Sequence, residues 1–403
     1  MKGGQAMRNL IAAMMVGTAL LPGSALATES SVPFIRADQV HAMGISGQGV
    51  TVAMIDTGIY FDEHGLLGSI APGGISFEGG DTYYDGGYDV YRYGHGTYMS
   101  LIITDSSGVA PDADILPIRV FGPYGTANAV DVILGIDYAR LRRQQVDTSI
   151  RVINLSLGGG FYSCDCDESD GVTREYARAL SDALAAGIVS FGATGNDACC
   201  FSINRPACVS AAMPVAAAYD DYYGFTYFDG EMLCDYECGD YSQPYYVTCF
   251  SHWVEECTAL SAPGYDITVA SYWGHGTSQA TAHCSGVAAL MFERGGCSLS
   301  AWVARSIIYN TAYDIWFAYP YCPLPPPPRH VDALAAVLAV APGCVGDVDC
   351  DGDTDHADMG ALLAAWCSQQ GDPNWNPNAD LDRDGHVGHG DLGIVLGDWG
   401  CGT

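Results

Sequence analysis

The chain has 403 residues, enough for one large domain and a smaller companion. Its 47 acidic residues outnumber 16 basic ones, giving a formal net charge of −31. Nucleic acid, which demands a basic face, is excluded as an expected partner, and no stretch beyond the N-terminal leader is apolar for long enough to span a bilayer.

Lys2 and Arg8 precede an apolar run, Leu10 to Leu21, and the small-x-small triplet Ala25-Leu26-Ala27 follows. This pattern predicts a signal peptide over 1–27 and an exported mature chain starting near Thr28. A membrane anchor is the alternative, but the apolar core is short and the cleavage triplet follows it directly. Removing the leader leaves 14 basic against 47 acidic residues, a net of −33, and no lysine. Such acidity suits a solvated extracellular surface and cation binding. All 16 cysteines lie in the mature part and read first as disulfides. Proximity favours Cys199 or Cys200 with Cys208, and Cys234 or Cys238 with Cys249. The rival is zinc, suggested by Cys164-Asp165-Cys166 and Cys199-Cys200, although no pair of C-x2-C motifs exists.

Gly49 to Gly58 is an apolar strand ending in Asp56-Thr57-Gly58, and a carboxylate at a buried strand's C-terminal end is where open α/β sheets build sites. The same triplet also suits an ordinary strand-terminating turn. Gly94-His95-Gly96-Thr97 precedes a helix over Met99 to Ile103. A strand follows at Ile115 to Val120, a helix at Ala129 to Arg142, and a strand from Val152 that runs into Ser156-Leu157-Gly158-Gly159. A helix over Arg174 to Ala185 leads to a strand at Ile188 to Phe191 and then Gly195-Asn196-Asp197. This alternation predicts a mostly parallel sheet covered by helices on both faces. Residues 219–257 turn aromatic, acidic and cysteine-rich, which reads as disulfide-pinned surface loops inserted in the scaffold. A last helix, Val331 to Val340, follows the Pro325 to Pro328 run.

Gly274-His275-Gly276-Thr277-Ser278 then turns into the apolar, small-residue run Val287 to Met291, so Ser278 stands at a helix N-terminus. Unpaired N–H groups and the helix dipole favour developing negative charge there. Ser is equally an ordinary N-cap, so the triplet alone leaves both readings open.

The order Asp56, His95, Asn196, Ser278, together with Gly108-Val109-Ala110-Pro111, Ser156-Leu157-Gly158-Gly159 and Ala262-Pro263-Gly264, resembles a subtilisin-like serine protease domain over 33–341. The Asp…His…Ser chain order is that known for subtilisin. The resemblance implies Ser278 as nucleophile, His95 as base, Asp56 as its orienting acid and Asn196 as oxyanion donor. It further implies substrate-backbone pairing along Ser156, Leu157, Gly158 and Gly159, and a pocket lined by Ala193, Thr194 and Gly195. His-Gly-Thr also occurs at 275–277, but His275 lacks a strand-borne acid and is expected only to line the site. His283 is expected to be a packing residue.

The sequence departs from that family pattern in places. Ala282 stands where Pro is usual, and Tyr98 where His is frequent. Gly65 replaces an expected Asp ligand, so a structural calcium site common in the family is expected to be absent. No folding pro-region is expected between the predicted leader and the domain.

Residues 344–403 form a second unit. Asp347, Asp349, Asp351, Asp355 and Asp358 take positions 1, 3, 5, 9 and 12 of a calcium loop, with Gly352 at 6 and Asp353 between. Asp380, Asp382, Asp384 and Asp391 repeat positions 1, 3, 5 and 12 after 33 residues, with Gly385 at 6, His386 as a further ligand and Gly388 at 9. A final Asp in place of Glu, with no entering helix, resembles a type I dockerin-like module, a small all-α unit holding two calcium ions. Cys344 and Cys401 bracket it and are expected to clasp its ends. The whole reads as a secreted, calcium-binding serine endopeptidase needing no cofactor for catalysis. It would act on protein or peptide substrates and attach through its tail to a cohesin-like or cell-surface partner. The competing reading is a catalytically inert binding or assembly protein on the same scaffold.

Overall fold

A computed structural model describes residues 27–60, 66, 69–78, 94–122, 124–228, 238–254, 257, 259–317, 328–382 and 384–402. The leader assigned to 1–27 therefore falls almost wholly outside the described residues, as does Gly65. Two short helices, α1 (Ala27–Phe34) and α2 (Ala37–His41), lead into β1 (Thr51–Asp56). Then come β2 (Ile75–Ser76), α3 (His95–Thr104), β3 (Asp114–Arg119), α4 (Ala129–Gln145) and β4 (Ile150–Leu155). They are followed by β5 (Gly159–Tyr162), α5 (Gly171–Ala185), β6 (Val189–Ala193), β7 (Ile203–Arg205) and β8 (Ala212–Ala218). The cysteine-rich stretch carries β9 (Phe225–Phe228), β10 (Cys238–Tyr241) and β11 (Tyr246–Val247). After β12 (Leu260–Pro263), the hairpin β13 (Ile267–Val269) and β14 (Tyr272–Gly274) delivers the chain to α6 (Thr277–Gly295). The large domain ends with α7 (Ala301–Thr311), β15 (Tyr313–Asp314), β16 (Trp316–Phe317), β17 (Arg329–His330) and α8 (Ala333–Leu338). The tail holds α9 (His356–Ala364) and α10 (His389–Gly397).

Among the described residues the main sheet has 11 strands: nine in the order β15-β17-β12-β8-β6-β4-β1-β3-β2, with β11 pairing with β8 and β16 with β11. Every pairing from β17 through to β2 is parallel. The strands are near-continuous apolar runs, and β1, β4, β6 and β8 are buried at every residue. Burial on both faces requires helices on both faces, as the alternation predicted. The chain winds from β1 outward to β3 on one side, then reverses to β4 on the other. That reversal opens a crevice at the C-terminal ends of β1 and β4.

Helix α6 runs through the interior. Of its 19 residues only Ser278, Glu293 and Arg294 are not buried. Small residues are required: a Cβ on Gly286 would lie 2.6 Å from the Val109 Cβ. No helix among the described residues is long and apolar enough to cross a membrane.

Three sequence expectations need correction. Cys208 bonds to Cys166, and Cys164 to Cys257, while Cys199 and Cys200 are also disulfide-bonded. Cys208 thus pairs across 42 residues rather than with its near neighbours, and the candidate zinc thiols are consumed. The stretch 219–257 is more than surface loops, since Tyr219, Phe250 and Trp253 are among the largest fully buried side chains. Strand β8 escaped notice because its alanine-rich run has weak β propensity. Of the two partners expected for Cys249, Cys238 is the one bonded, and the expected Cys344–Cys401 bond is present. A further bond, Cys297–Cys350, ties the turn after α6 to the first acidic loop of the tail.

Candidate active site

Asp56 is the last residue of β1 and is fully buried. Its Oδ1 accepts hydrogen bonds from His95 Nδ1 at 2.8 Å and from the Thr57 N–H at 2.7 Å. His95 opens α3, with about a third of its side chain (32%) left accessible. The glycines around it are needed. Gly94 has φ 61°, and a Cβ on Gly96 would sit 2.2 Å from the Gly58 carbonyl oxygen. The two motifs are stitched together: the Gly96 N–H donates to Thr57 Oγ1, and the Tyr60 N–H donates to Thr97 Oγ1. A carboxylate bonded to Nδ1 fixes the ring's tautomer and leaves Nε2 as the basic nitrogen.

Ser278 is the second residue of α6 and remains partly exposed. Its Oγ donates to the Ser156 carbonyl at 3.1 Å, and Ser156 Oγ donates back to the Ser278 carbonyl at 2.8 Å. Asn154 supports this exchange by donating to Ser156 Oγ at 2.9 Å. The helix start is thereby locked to the segment leaving β4.

Asn196 follows β6. Its Oδ1 accepts both the Thr277 N–H and the Thr277 hydroxyl, each at 2.9 Å. Two donors on one atom settle which end of the amide is oxygen, so Nδ2 is the end with hydrogens to give. Nδ2 faces Gly276, where a Cβ would lie 3.3 Å away. An amide N–H₂ and the first N–H groups of α6 thus share one corner beside Ser278.

Of the residues expected to line the substrate channel, Ser156, Leu157 and Gly158 leave β4, and Gly159 opens β5, one edge of which pairs with β7. Ala193 ends β6, and buried Thr194 and Gly195 (φ 121°) continue it. The two walls meet over Asn204: a Cβ on Gly158 or on Gly195 would come within 2.8 Å of its side chain. His275 does not join the Asp56–His95 pair. Its ring contacts Phe228, Phe250, Tyr265 and Trp273 but stays exposed to solvent, and partial desolvation lowers its pKa. His283 is fully buried between the Gln279 carbonyl and Ser31 Oγ, at 2.8 Å each, and burial pushes its pKa down to about 4. Tyr98 fills the place where His is frequent. It donates to the Ile267 carbonyl and stacks on Tyr272 at 5.7 Å.

The sequence reading overlooked His252, whose ring is wholly buried against the 195–197 turn. No local motif marks it, because its partner Asp197 lies 55 residues away in the chain.

In the tail, both acidic loops close the same way. Asp358 Oδ1 accepts the Val348 and Asp349 N–H groups and its Oδ2 accepts the Asp355 N–H. Asp391 does the same with Leu381, Asp382 and Gly388. Gly352 and Gly385 make the turns at φ 103° and 85°, which only glycine adopts freely. The structure gathers Asp347, Asp349 and Asp351, then Asp353, Asp355 and Asp358, and in the second loop Asp380, Asp382 and Asp391, each set within 4.8 Å. Asp384 and His386 are outside the last set. Buried Asp380 Oδ1 and Asp353 Oδ1 have no hydrogen-bond partner. Desolvation and neighbouring carboxylates raise the pKa of Asp349, Asp353 and Asp380. Clustered carboxylates with orphan oxygens around a glycine turn fit a hard divalent cation such as calcium.

The Subtilase family (Peptidase S8) matches residues 47–336, a span containing Asp56, His95, Asn196 and Ser278 and ending before the acidic loops. The thermostable alkaline protease of Halalkalibacterium halodurans is 31% identical over 275 residues, covering 65% of this chain and 62% of that one. The extracellular serine proteinase of a Thermus species is 30% identical, covering 67% and 57% respectively. Subtilisin DY of Bacillus licheniformis is 28% identical, covering 72% and 93%. The chain thus spans about three-fifths of the length of the first two relatives. Among solved structures, sphericase shares the fold with a TM-score of 0.53 at 24% identity, covering 68% of this chain and 86% of its own. With this sheet, this crevice and this match over most of its length, the chain belongs to the subtilase family.

Proposed function

We propose that the protein is an exported serine endopeptidase that cleaves peptide bonds through an acyl-enzyme. The observation that carries this reading is the Asp56–His95 hydrogen bond at the sheet's crevice in a subtilase chain whose Ser278 starts the central helix. On substrate binding, Ser278 Oγ exchanges its bond to the Ser156 carbonyl for one to His95 Nε2, loses its proton to that nitrogen and attacks the scissile carbonyl. The imidazolium so formed is stabilised by Asp56 and returns the proton to the leaving amine. The carbonyl oxygen, now negative, takes hydrogen bonds from Asn196 Nδ2 and the Ser278 N–H at the positive end of α6. Water then repeats the cycle on the acyl group. The names of the relatives, an extracellular serine proteinase and an alkaline protease among them, support an exported peptidase.

The tail is proposed to hold two calcium ions. In the first loop Asp347, Asp349, Asp351, Asp353, Asp355 and Asp358 would serve. In the second, Asp380, Asp382, Asp384, His386 and Asp391 would. The ions' charge would offset the repulsion of the crowded carboxylates. The ion-loaded module would attach the enzyme to a cohesin-like or cell-surface partner.

A fluorophosphonate probe tests the first reading. The folded wild type should label and Ser278→Ala should not. A folded, calcium-supplied wild type that neither labels nor hydrolyses peptides would refute it.

A further inference from the structure

The turn that carries Asn196 is held on both sides by one residue. The His252 N–H donates to the Gly195 carbonyl at 3.0 Å, and His252 Nε2 accepts the Asp197 N–H at 2.9 Å. Asn196 lies between these two bonds. The same nitrogen lies 3.1 Å from Asp197 Oδ2, so Nε2 meets both the backbone N–H and the carboxylate of Asp197. The ring's Nδ1 is buried with no partner. Burial lowers the ring's pKa, and Asp197 opposes that shift. Phe161 stacks on the ring at 5.8 Å, and Gly195 presses against it so closely that a Cβ would lie 2.5 Å from Nδ1. Further bonds extend the brace, from the Ala198 N–H to the Phe250 carbonyl and from the Trp253 N–H to the Cys199 carbonyl.

A structural histidine could be buried anywhere; this one grips the peptides immediately before and after a single side chain. That side chain already spends its oxygen on Thr277, so its remaining freedom is the path of its own backbone. We propose that His252 is a positioning residue for catalysis, setting the direction of the Asn196 amide toward the developing oxyanion. The proposal rests on the peptidase reading and on Asn196 as donor. It also gives the cysteine-rich stretch a task, since that stretch supplies His252 and is anchored beside it by Cys238–Cys249 and Cys164–Cys257.

The test is peptide-hydrolysis kinetics on the full-length protein as a double-mutant cycle. His252→Leu keeps bulk but removes the acceptor. It should lower kcat about tenfold to a hundredfold, the cost of misplacing a catalytic group by a fraction of an ångström, with KM changed less than about twofold. His252→Gln, whose Oε1 can take the place of Nε2, should recover kcat to within about threefold of wild type. In an Asn196→Ala background, His252→Leu should cost less than about threefold, because the residue it positions is gone. Equal losses in both backgrounds, or an unchanged kcat in the single leucine variant, would overturn the proposal. If the leucine variant does not fold, His252→Phe in both backgrounds decides: a kcat loss seen only where Asn196 is present supports the role, and no loss or an equal loss refutes it. A wild type that is itself inactive toward peptide and probe sinks the peptidase reading instead.

Discussion

The two ends of α6 solve opposite problems. Its N-terminus holds Ser278 in a network of neutral and backbone hydrogen bonds among Ser156, Asn196 and Thr277. About 28 Å away, at 1.5 Å per residue, its C-terminus passes into the Gly296–Ser298 turn. There Cys297 is bonded to Cys350 inside the first acidic loop. That loop crowds carboxylates, and desolvation and the neighbouring carboxylates raise the pKa of Asp349 there. One end is preorganised by packing; the other is the end we propose a cation completes. A buried helix joined covalently to both makes the comparison testable.

The largest effect belongs to the self-sufficient end. Asp56→Asn should leave the fold intact and drop kcat on the order of ten-thousand-fold, because an amide can present a donor to Nδ1 and favour the wrong tautomer. Steady-state kinetics beside an unchanged thermal melt would show it. A loss under tenfold would mean that His95 does not depend on that bond.

These features differ in how far sequence alone reveals them. Asp56, His95 and Ser278 were legible because each sits in a triplet whose backbone demands are local: Gly94 and Gly96 flank one, and Gly276 leads into another. The acidic loops were legible for the same reason, since carboxylates and a turn glycine recur at fixed spacing. His252 was not, because its partner Asp197 lies 55 residues away and the stretch bearing it looks like surface. Disulfide partners resist reading likewise: Cys166–Cys208 and Cys297–Cys350 depend on packing, not on spacing. The missed strand β8 shows tertiary burial overriding weak propensity.

Cutting the link between the two ends comes next in size. The Cys297–Cys350 bond closes a 53-residue separation, and removing it as a double serine variant should cost up to about 4 kcal/mol. Differential scanning calorimetry should then resolve the tail melting apart from the peptidase domain. A single, unshifted transition would show that the tail is held by packing alone.

Acid attacks the helix between its ends. His283 on α6 and His330 on β17 are buried, with pKa values pushed down to about 4 and about 3 by desolvation. Unfolded histidine titrates near 6.5, so below that pH the unfolded chain binds protons that the folded chain refuses. Stability is therefore full above about pH 6.5 and falls as pH drops toward 4. His283 alone accounts for about 3 kcal/mol by then. His283→Gln should flatten the fall in melting temperature between pH 7 and 4, and an unchanged slope would assign acid lability elsewhere.

The smallest effect tests the dependent end directly. If the acidic loops bind calcium in the folded state only, an ion concentration a hundred times Kd adds about 3 kcal/mol, and chelation should remove it. Because Cys350 ties the first loop to the turn after α6, that stabilisation should reach the peptidase domain and not stop at the tail. Melting with and without EDTA, followed by near-ultraviolet circular dichroism, should show the large domain's transition moving with the ion. The double variant Asp347→Ala/Asp380→Ala should abolish the shift while leaving probe labelling at Ser278 intact at room temperature. In the double serine variant lacking Cys297–Cys350, calcium should shift the tail's transition alone. A peptidase domain that responds equally with and without the bond would mean that its sensitivity to the ion arises outside these two loops.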